Sequence, residues 1–412
     1  MMLWPQNTTP FLWGVATSAH QVEGDTDNDW TEWENSEHVV EKSGNACLHY
    51  QKYADDLQLF SQIGVNAYRY SLEWSRIEPE PGQFNQNALD HYRAMTETVI
   101  SHRMEPLITL HHFTLPKWFA KQGGFFQREA PRLFSLYVQK VLDTVGDLAR
   151  FYVTINEPLV YAVMGYGNGQ WPPGHQNLKE LWQIVPKLLA CHQEAYHRIK
   201  ARRPGAMAGL AHHLMAFAPY DARSWLDRWN ARLLHFLFNW RFIQWTRNTS
   251  DFIGVNYYTQ QYAHHRQFLV PVAHRPDAGL LTDMGWEIHP NRLEDLLIAL
   301  KRFDKPLLIT ENGIATSDDS VRQQFLIDHL AAVSRAQNQG AMVRGYFYWS
   351  ALDNFEWAEG YRPRFGLVRV DYETQKRTLR DSAYLYRRII DANQGRWPIS
   401  VPPEPEQPVS VL

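Results

Sequence analysis

Short apolar runs recur along this chain and alternate with longer amphipathic stretches. They fall at 11–17, 65–72, 106–111, 151–156, 207–212, 251–257, 306–311 and 343–350. Each has the length of a buried strand. The stretches between them read as helices. QKYADDLQLFSQIG at 51–64 puts Tyr53, Leu57 and Phe60 on one face and stops at a glycine. The stretches 131–147 and 291–304 have the same pattern. Strands alternating with helices imply a parallel sheet, and eight such units imply closure into a barrel. Periodicity alone does not separate that barrel from an open, doubly wound sheet. No linker or internal repeat divides the 412 residues. The expected organisation is one domain over 1–401 and a flexible, Pro-rich tail over 402–412, PPEPEQPVSVL.

The composition narrows the function classes. A formal net charge of −3 gives no electrostatic footprint for nucleic acid. No apolar run approaches the ~18 residues of a membrane span. The first residues, MMLWPQNTTPFLWG, lack the basic and apolar regions of a secretory leader, so a cytoplasmic location is expected. Two cysteines, Cys47 and Cys191, provide neither a disulfide framework nor a CxxC metal motif. The 16 tryptophans are a high load; most read as core, and a minority is expected near a ligand, since aromatic faces suit the C–H faces of sugar rings.

Two of the runs end on a carboxylate. FYVTIN leads into Glu157-Pro158, and PLLIT leads into Glu311-Asn312-Gly313. In an α/β barrel the C-terminal strand ends form the catalytic face. Two carboxylates at one mouth can divide the work of acid and nucleophile if their surroundings differ.

These motifs have a wider context. TINEP (154–158) and ITENG (309–313) resemble the acid/base and nucleophile motifs of glycoside hydrolase family 1. FLWGVATSAHQVEG (11–24), AYRYSLEWSRIEP (67–79), DFIGVNYYT (251–259), YFYWSALDNFEWAEGYRPRFGLVRVDY (346–372) and RTLRDSAYLYRRII (377–390) resemble further family blocks, in the family's order. The resemblance implies a single (β/α)8 (TIM) barrel and a retaining β-glucosidase, open also to β-galactosides and β-fucosides. Glu157 would be the acid/base and Glu311 the nucleophile. Arg69 and Tyr258 would support the nucleophile, with Asn256 beside it. Asn156 would bind the 2-hydroxyl. Gln21, His111, Glu356 and Trp357 would hold the other hydroxyls, and Trp349 would stack under the ring. No cofactor or metal is implied. The partner is a small β-glycoside or oligosaccharide, with no nucleic acid and no membrane; the oligomeric state is left open.

The chain departs from the family in three places. His112 stands where many members carry Trp, the loop at 25–34 is short, and residues 224–250 replace a longer segment. A trimmed segment there implies an open rim on the aglycone side. Its aromatic residues, Trp225, Trp229, Phe236, Phe238, Trp240, Phe242 and Trp245, read as helix packing, with an exposed subset as a sugar platform or oligomer contact. A metal hydrolase is the first rival reading, but the pairs His111-His112, His212-His213 and His264-His265 lack HExxH or HxH spacing. A catalytically silent sugar-binding protein is the second, and it conflicts with the presence of both carboxylates. Glu356 is expected to face the 4- and 6-hydroxyls and so to repel a 6-phosphate. Arg362 and Arg364, which could neutralise that phosphate, are expected to pair with rim carboxylates such as Glu359.

Overall fold

The computed structural model describes residues 10–268 and 270–401. The tail expected over 402–412 lies outside the described residues. Eight parallel strands close into a barrel: β1 (Leu12–Ala16), β2 (Ala67–Ser71), β3 (Glu105–Thr109), β4 (Phe151–Asn156), β5 (Met207–His213), β6 (Phe252–Asn256), β7 (Leu307–Asn312) and β8 (Val343–Trp349). Each pairs with its sequence neighbours, and β1 pairs with β8 to close the ring. All eight coincide with the apolar runs, so the barrel, and not the open sheet, is the fold.

Strand alternation divides the core in two. Leu12, Ala67, Leu107, Phe151, Val153, Met207, Phe252, Leu308 and Phe347 fill the barrel interior. The intervening residues, among them Trp13, Tyr68, Ile108, Tyr152, Ile253 and Tyr346, pack outward against the helices. Gly14 makes room for this filling, because a Cβ there would lie 2.2 Å from the Phe347 ring. The helices at His49–Gln62, Ala130–Val145 and Pro290–Leu300 occupy the stretches read as amphipathic.

Two small sheets decorate the barrel. Residues Ala216–Pro219 and Gln260–Ala263 pair in parallel just beyond the ends of β5 and β6. Val368–Val370 and Arg377–Leu379 form a hairpin after β8. The replaced segment is helical from Trp225 to Thr246, with a π-type turn in the middle. Packing explains only part of its aromatic content. Phe242 is buried and Phe238 and Trp240 are half-buried, whereas Trp225, Trp229, Phe236 and Trp245 are exposed. The expectation of helix packing fails for those four.

Candidate active site

The site forms where the strands end. Arg69 follows Ala67 on the inward face of β2 and has no exposure to solvent. A guanidinium in such a place must find acceptors for its fork. Its Nε donates to Thr109 Oγ1 at 3.1 Å. Nη1 donates to Glu311 Oε1 at 2.6 Å and to the Thr310 carbonyl at 3.0 Å. Nη2 donates to Asn156 Oδ1 at 2.7 Å. The Tyr258 hydroxyl donates to the second Glu311 oxygen, Oε2, at 2.6 Å. Gly313 is required next to this carboxylate, since a Cβ there would lie 1.6 Å from the Trp349 carbonyl oxygen.

Glu157 is held differently. It sits one residue past β4 with a φ of 43°, in the left-handed region, and Pro158 opens the short helix that follows. Its Oε1 accepts from Asn256 Nδ2 at 2.7 Å and lies 3.2 Å from His213 Nδ1. Among the described residues its Oε2 has no hydrogen-bond partner. Asn256 is opposite Glu311 in the β6–β7 register, but its amide reaches Glu157 and Asn156. It was expected beside the nucleophile. Thr310 Oγ1 donates to Asn256 Oδ1, which turns the amide nitrogen toward the other carboxylate.

The expected sugar-binding positions converge on the same mouth. Gln21 Nε2 lies 3.2 Å from Glu356 Oε2 and 2.9 Å from the Phe355 carbonyl oxygen. Asn156 Nδ2 lies 3.2 Å from His112 Nε2. The His112 ring is nearly parallel to both Trp349 and Trp357, at centroid distances of 5.8 and 6.2 Å. Trp357 in turn stacks on His20, whose Nε2 lies 3.2 Å from Glu34. His111 packs edge-on against Phe125 and Tyr161. Its Nε2 and the Nδ1 of His112 are buried without a hydrogen-bond partner among the described residues.

The electrostatics follow from burial. It is the largest influence on Glu311 and raises its pKa. Arg69 opposes the rise, the charge of Glu157 adds to it, and the net position is about 7. Burial, then the charges of Glu311 and Glu157, lift Glu356 to about 8. Burial holds His111 down at about 3 and keeps it neutral. His112 is held well below the usual range by burial and then by Arg69. Burial opposes protonation of His213, but Glu157 outweighs it and raises its pKa.

His213 is the residue that sequence reasoning missed. The pair His212-His213 was weighed only as a metal motif. On a strand the two rings face opposite ways: His212 packs outward against Phe242, and His213 faces the site beside Tyr258. The useful signal was the position of His213 at the C-terminal end of a strand.

Comparison with known proteins gives the family. The model of the family "Glycosyl hydrolase family 1" matches residues 5–246 and 238–395. The chain belongs to that family. A 1,4-β-D-glucan glucohydrolase from Thermotoga neapolitana is 32% identical, over 93% of this chain and 98% of the relative. The β-glycosidase from Pyrococcus horikoshii superposes with a TM-score of 0.88 at 38% identity, over 93% of this chain and 94% of that one. The β-glucosidase from Thermotoga maritima in complex with glucoimidazole gives 0.87 at 30% identity, over 93% and 98%. This family 1 chain is therefore a β-glycosidase. Among the described residues no helix is long and apolar enough to cross a membrane.

Proposed function

We propose that this family 1 enzyme releases β-D-glucose from the non-reducing end of non-phosphorylated β-glucosides by double displacement, with Glu311 as nucleophile and Glu157 as acid/base. The observation that carries the assignment is the unequal hydrogen bonding of the two carboxylates. Both Glu311 oxygens receive strong donors, Arg69 and Tyr258. A proton on either oxygen would displace one of them. Glu157 keeps one oxygen without a partner, so it is the carboxyl free to carry the proton given to the leaving oxygen.

In the first step the Glu311 carboxylate attacks the anomeric carbon. The bond to the leaving oxygen breaks, and the Glu157 proton passes to that oxygen. In the second step water attacks the same carbon, its proton passes to Glu157, and Glu311 leaves as a carboxylate. Asn156 is fixed by Arg69 and Asn256 to donate to the 2-hydroxyl. Trp349 offers the platform for the ring, and Gln21, His111, Glu356 and Trp357 offer the remaining polar contacts.

Rejection of a 6-phosphate has its own support. Glu356 faces the site, and the burial that lifts its pKa to about 8 equally penalises a phosphate dianion brought there without a cation. Neither nearby arginine is free to compensate. Arg362 pairs with Glu359 at 3.0 Å and donates to the Asp283 carbonyl. Arg364 turns inward, 3.6 Å from Asp353 and over the Tyr372 ring, and not to the rim where it was expected. The replaced 224–250 segment supports an open aglycone side tolerant of bulky groups.

The deciding experiment follows the first-formed sugar by NMR. A β-glycoside should release the β-anomer, in keeping with carboxyl groups about 5–5.5 Å apart. Early α-anomer would overturn the mechanism. A kcat/KM higher for an aryl β-glucoside 6-phosphate than for the plain glucoside would overturn the substrate class alone.

A further inference from the structure

The helix from Trp225 to Thr246 has one buried face and one exposed face. Asn230, Ala231 and Leu234 face inward, and Ala231 and Leu234 pack with Phe217 and Ala263 of the adjacent small sheet. Asp227, also buried, accepts from the His265 backbone and ring. On the other face Trp225 is 67% exposed, Trp229 50% and Phe236 51%. Phe268, on the neighbouring loop, is 52% exposed and stacks on Trp229 at 5.8 Å and 9°. Large exposed apolar groups gathered in this way mark an interaction surface.

The charge of the same segment identifies the kind of partner. Residues 221–247 hold five arginines and two aspartates, in a chain whose formal net charge is −3. Asp227 is buried, which leaves Asp221 as the exposed acid. Arg223, Arg228, Arg232, Arg241 and Arg247 are exposed, and none forms an ion pair among the described residues. Arg241 lies over the Trp245 ring, 4.7 Å from its centroid. Indole and phenyl rings flanked by unpaired guanidinium groups on a surface helix are what an anionic lipid interface binds. The rings enter the boundary between headgroups and acyl chains, and the cations meet the phosphates.

From this amphipathic, basic face we infer that the enzyme docks on the surface of anionic membranes through the helix at 225–246, without spanning them. A second copy fits the charge poorly, because a two-fold contact through this face would oppose its own arginines. A neutral glycan would leave those arginines without counter-charge. The inference departs from the sequence reading, which expected no membrane among the partners. It is independent of the roles given to Glu157 and Glu311.

The test is flotation of the full chain with vesicles of phosphatidylcholine, with and without phosphatidylglycerol, while hydrolysis of a soluble aryl β-glucoside is assayed in parallel. The protein should float only with the phosphatidylglycerol vesicles, show blue-shifted tryptophan emission, and be released as salt is raised. Trp225→Ser/Trp229→Ser should abolish flotation, and Arg223→Gln/Arg232→Gln should weaken partitioning roughly thirtyfold. Hydrolysis should be unchanged in both. No flotation, or flotation that the variants leave intact, would overturn the proposal. So would a dimer in light scattering that Trp225→Ser/Trp229→Ser splits, or retention on an insoluble β-glucan that the same variant loses. These last two results would reassign the face to a second copy or to a glycan.

Discussion

The ends of β4 and β7 look alike in sequence, an apolar strand running into a glutamate, yet they are built to opposite purposes. The carboxylate after β7 is clamped on both oxygens by a guanidinium and a phenol. The carboxylate after β4 sits on a left-handed residue, gathers a neutral amide and an imidazole on one oxygen, and leaves the other open. The same side chain is thus held at both oxygens in one place and at one oxygen in the other. Spacing and motif do not encode this difference. It comes from residues on β2, β5 and β6 that the barrel brings to the two strand ends.

The largest effect should come from removing the clamped group. Glu311→Ala should lose turnover on the order of a millionfold, the scale seen when a nucleophile is deleted, and equally on aryl glucosides with good and poor leaving groups. Glu157→Ala should behave otherwise. On substrates with poor leaving groups it should lose roughly 10²–10⁴-fold, and on activated aryl glucosides the first step should be nearly spared. Steady-state rates across a leaving-group series measure both. If Glu157→Ala loses as much on the activated substrates as on the poor ones, the contrast between the two strand ends is wrong.

Arg69 is the cause of the contrast, so its removal should blur it. In Arg69→Met the buried Glu311 loses its cation and takes up a proton more readily. Because Glu311 must be ionised to attack, activity should disappear from the acid side at higher pH. The acid limb of kcat/KM should move up by about one to three pH units. An unmoved limb would show that Tyr258 alone keeps the carboxylate charged.

How much of this was legible beforehand follows from the range of each interaction. The eight strands and both glutamates could be read because strand periodicity and motif are local. Arg69 and Tyr258 could be placed by resemblance, since each lies inside a matched block. Asn256 lies beside Glu311 in the strand register, as expected, but the Thr310 hydroxyl turns its amide to Glu157, which no local pattern reports. His213 and the inward turn of Arg364 depend on partners 56 and 11 residues away, and no local pattern reports them. The exposed side of the 225–246 helix was misread for a related reason. An aromatic stripe looks the same whether it faces a core or solvent, and only the neighbouring elements decide which.

A third carboxyl sharpens the comparison with the smallest effect. Glu356 is half-buried where the other two are buried, and it has no cation, only the Gln21 amide at 3.2 Å. Burial and the charges of Glu311 and Glu157 lift it to about 8. The folded protein therefore keeps a proton on Glu356 up to about pH 8, whereas the unfolded chain releases it near the ordinary carboxyl value of about 4.3. A raised folded pKa contributes stability that is complete below the unfolded value and is lost as pH rises through the folded one. Glutamine never ionises, so Glu356→Gln removes that slope. The variant's thermal midpoint relative to wild type should rise between pH 5 and pH 8.5, by on the order of 1–3 kcal/mol in stability, which is a few degrees at most for a chain of this size. A difference that stays constant across that range would mean that Glu356 is already ionised at pH 5. Three carboxylates would then share one mouth with Arg69 as their cation, and the clamp on Glu311 would have to be stronger than its hydrogen bonds indicate.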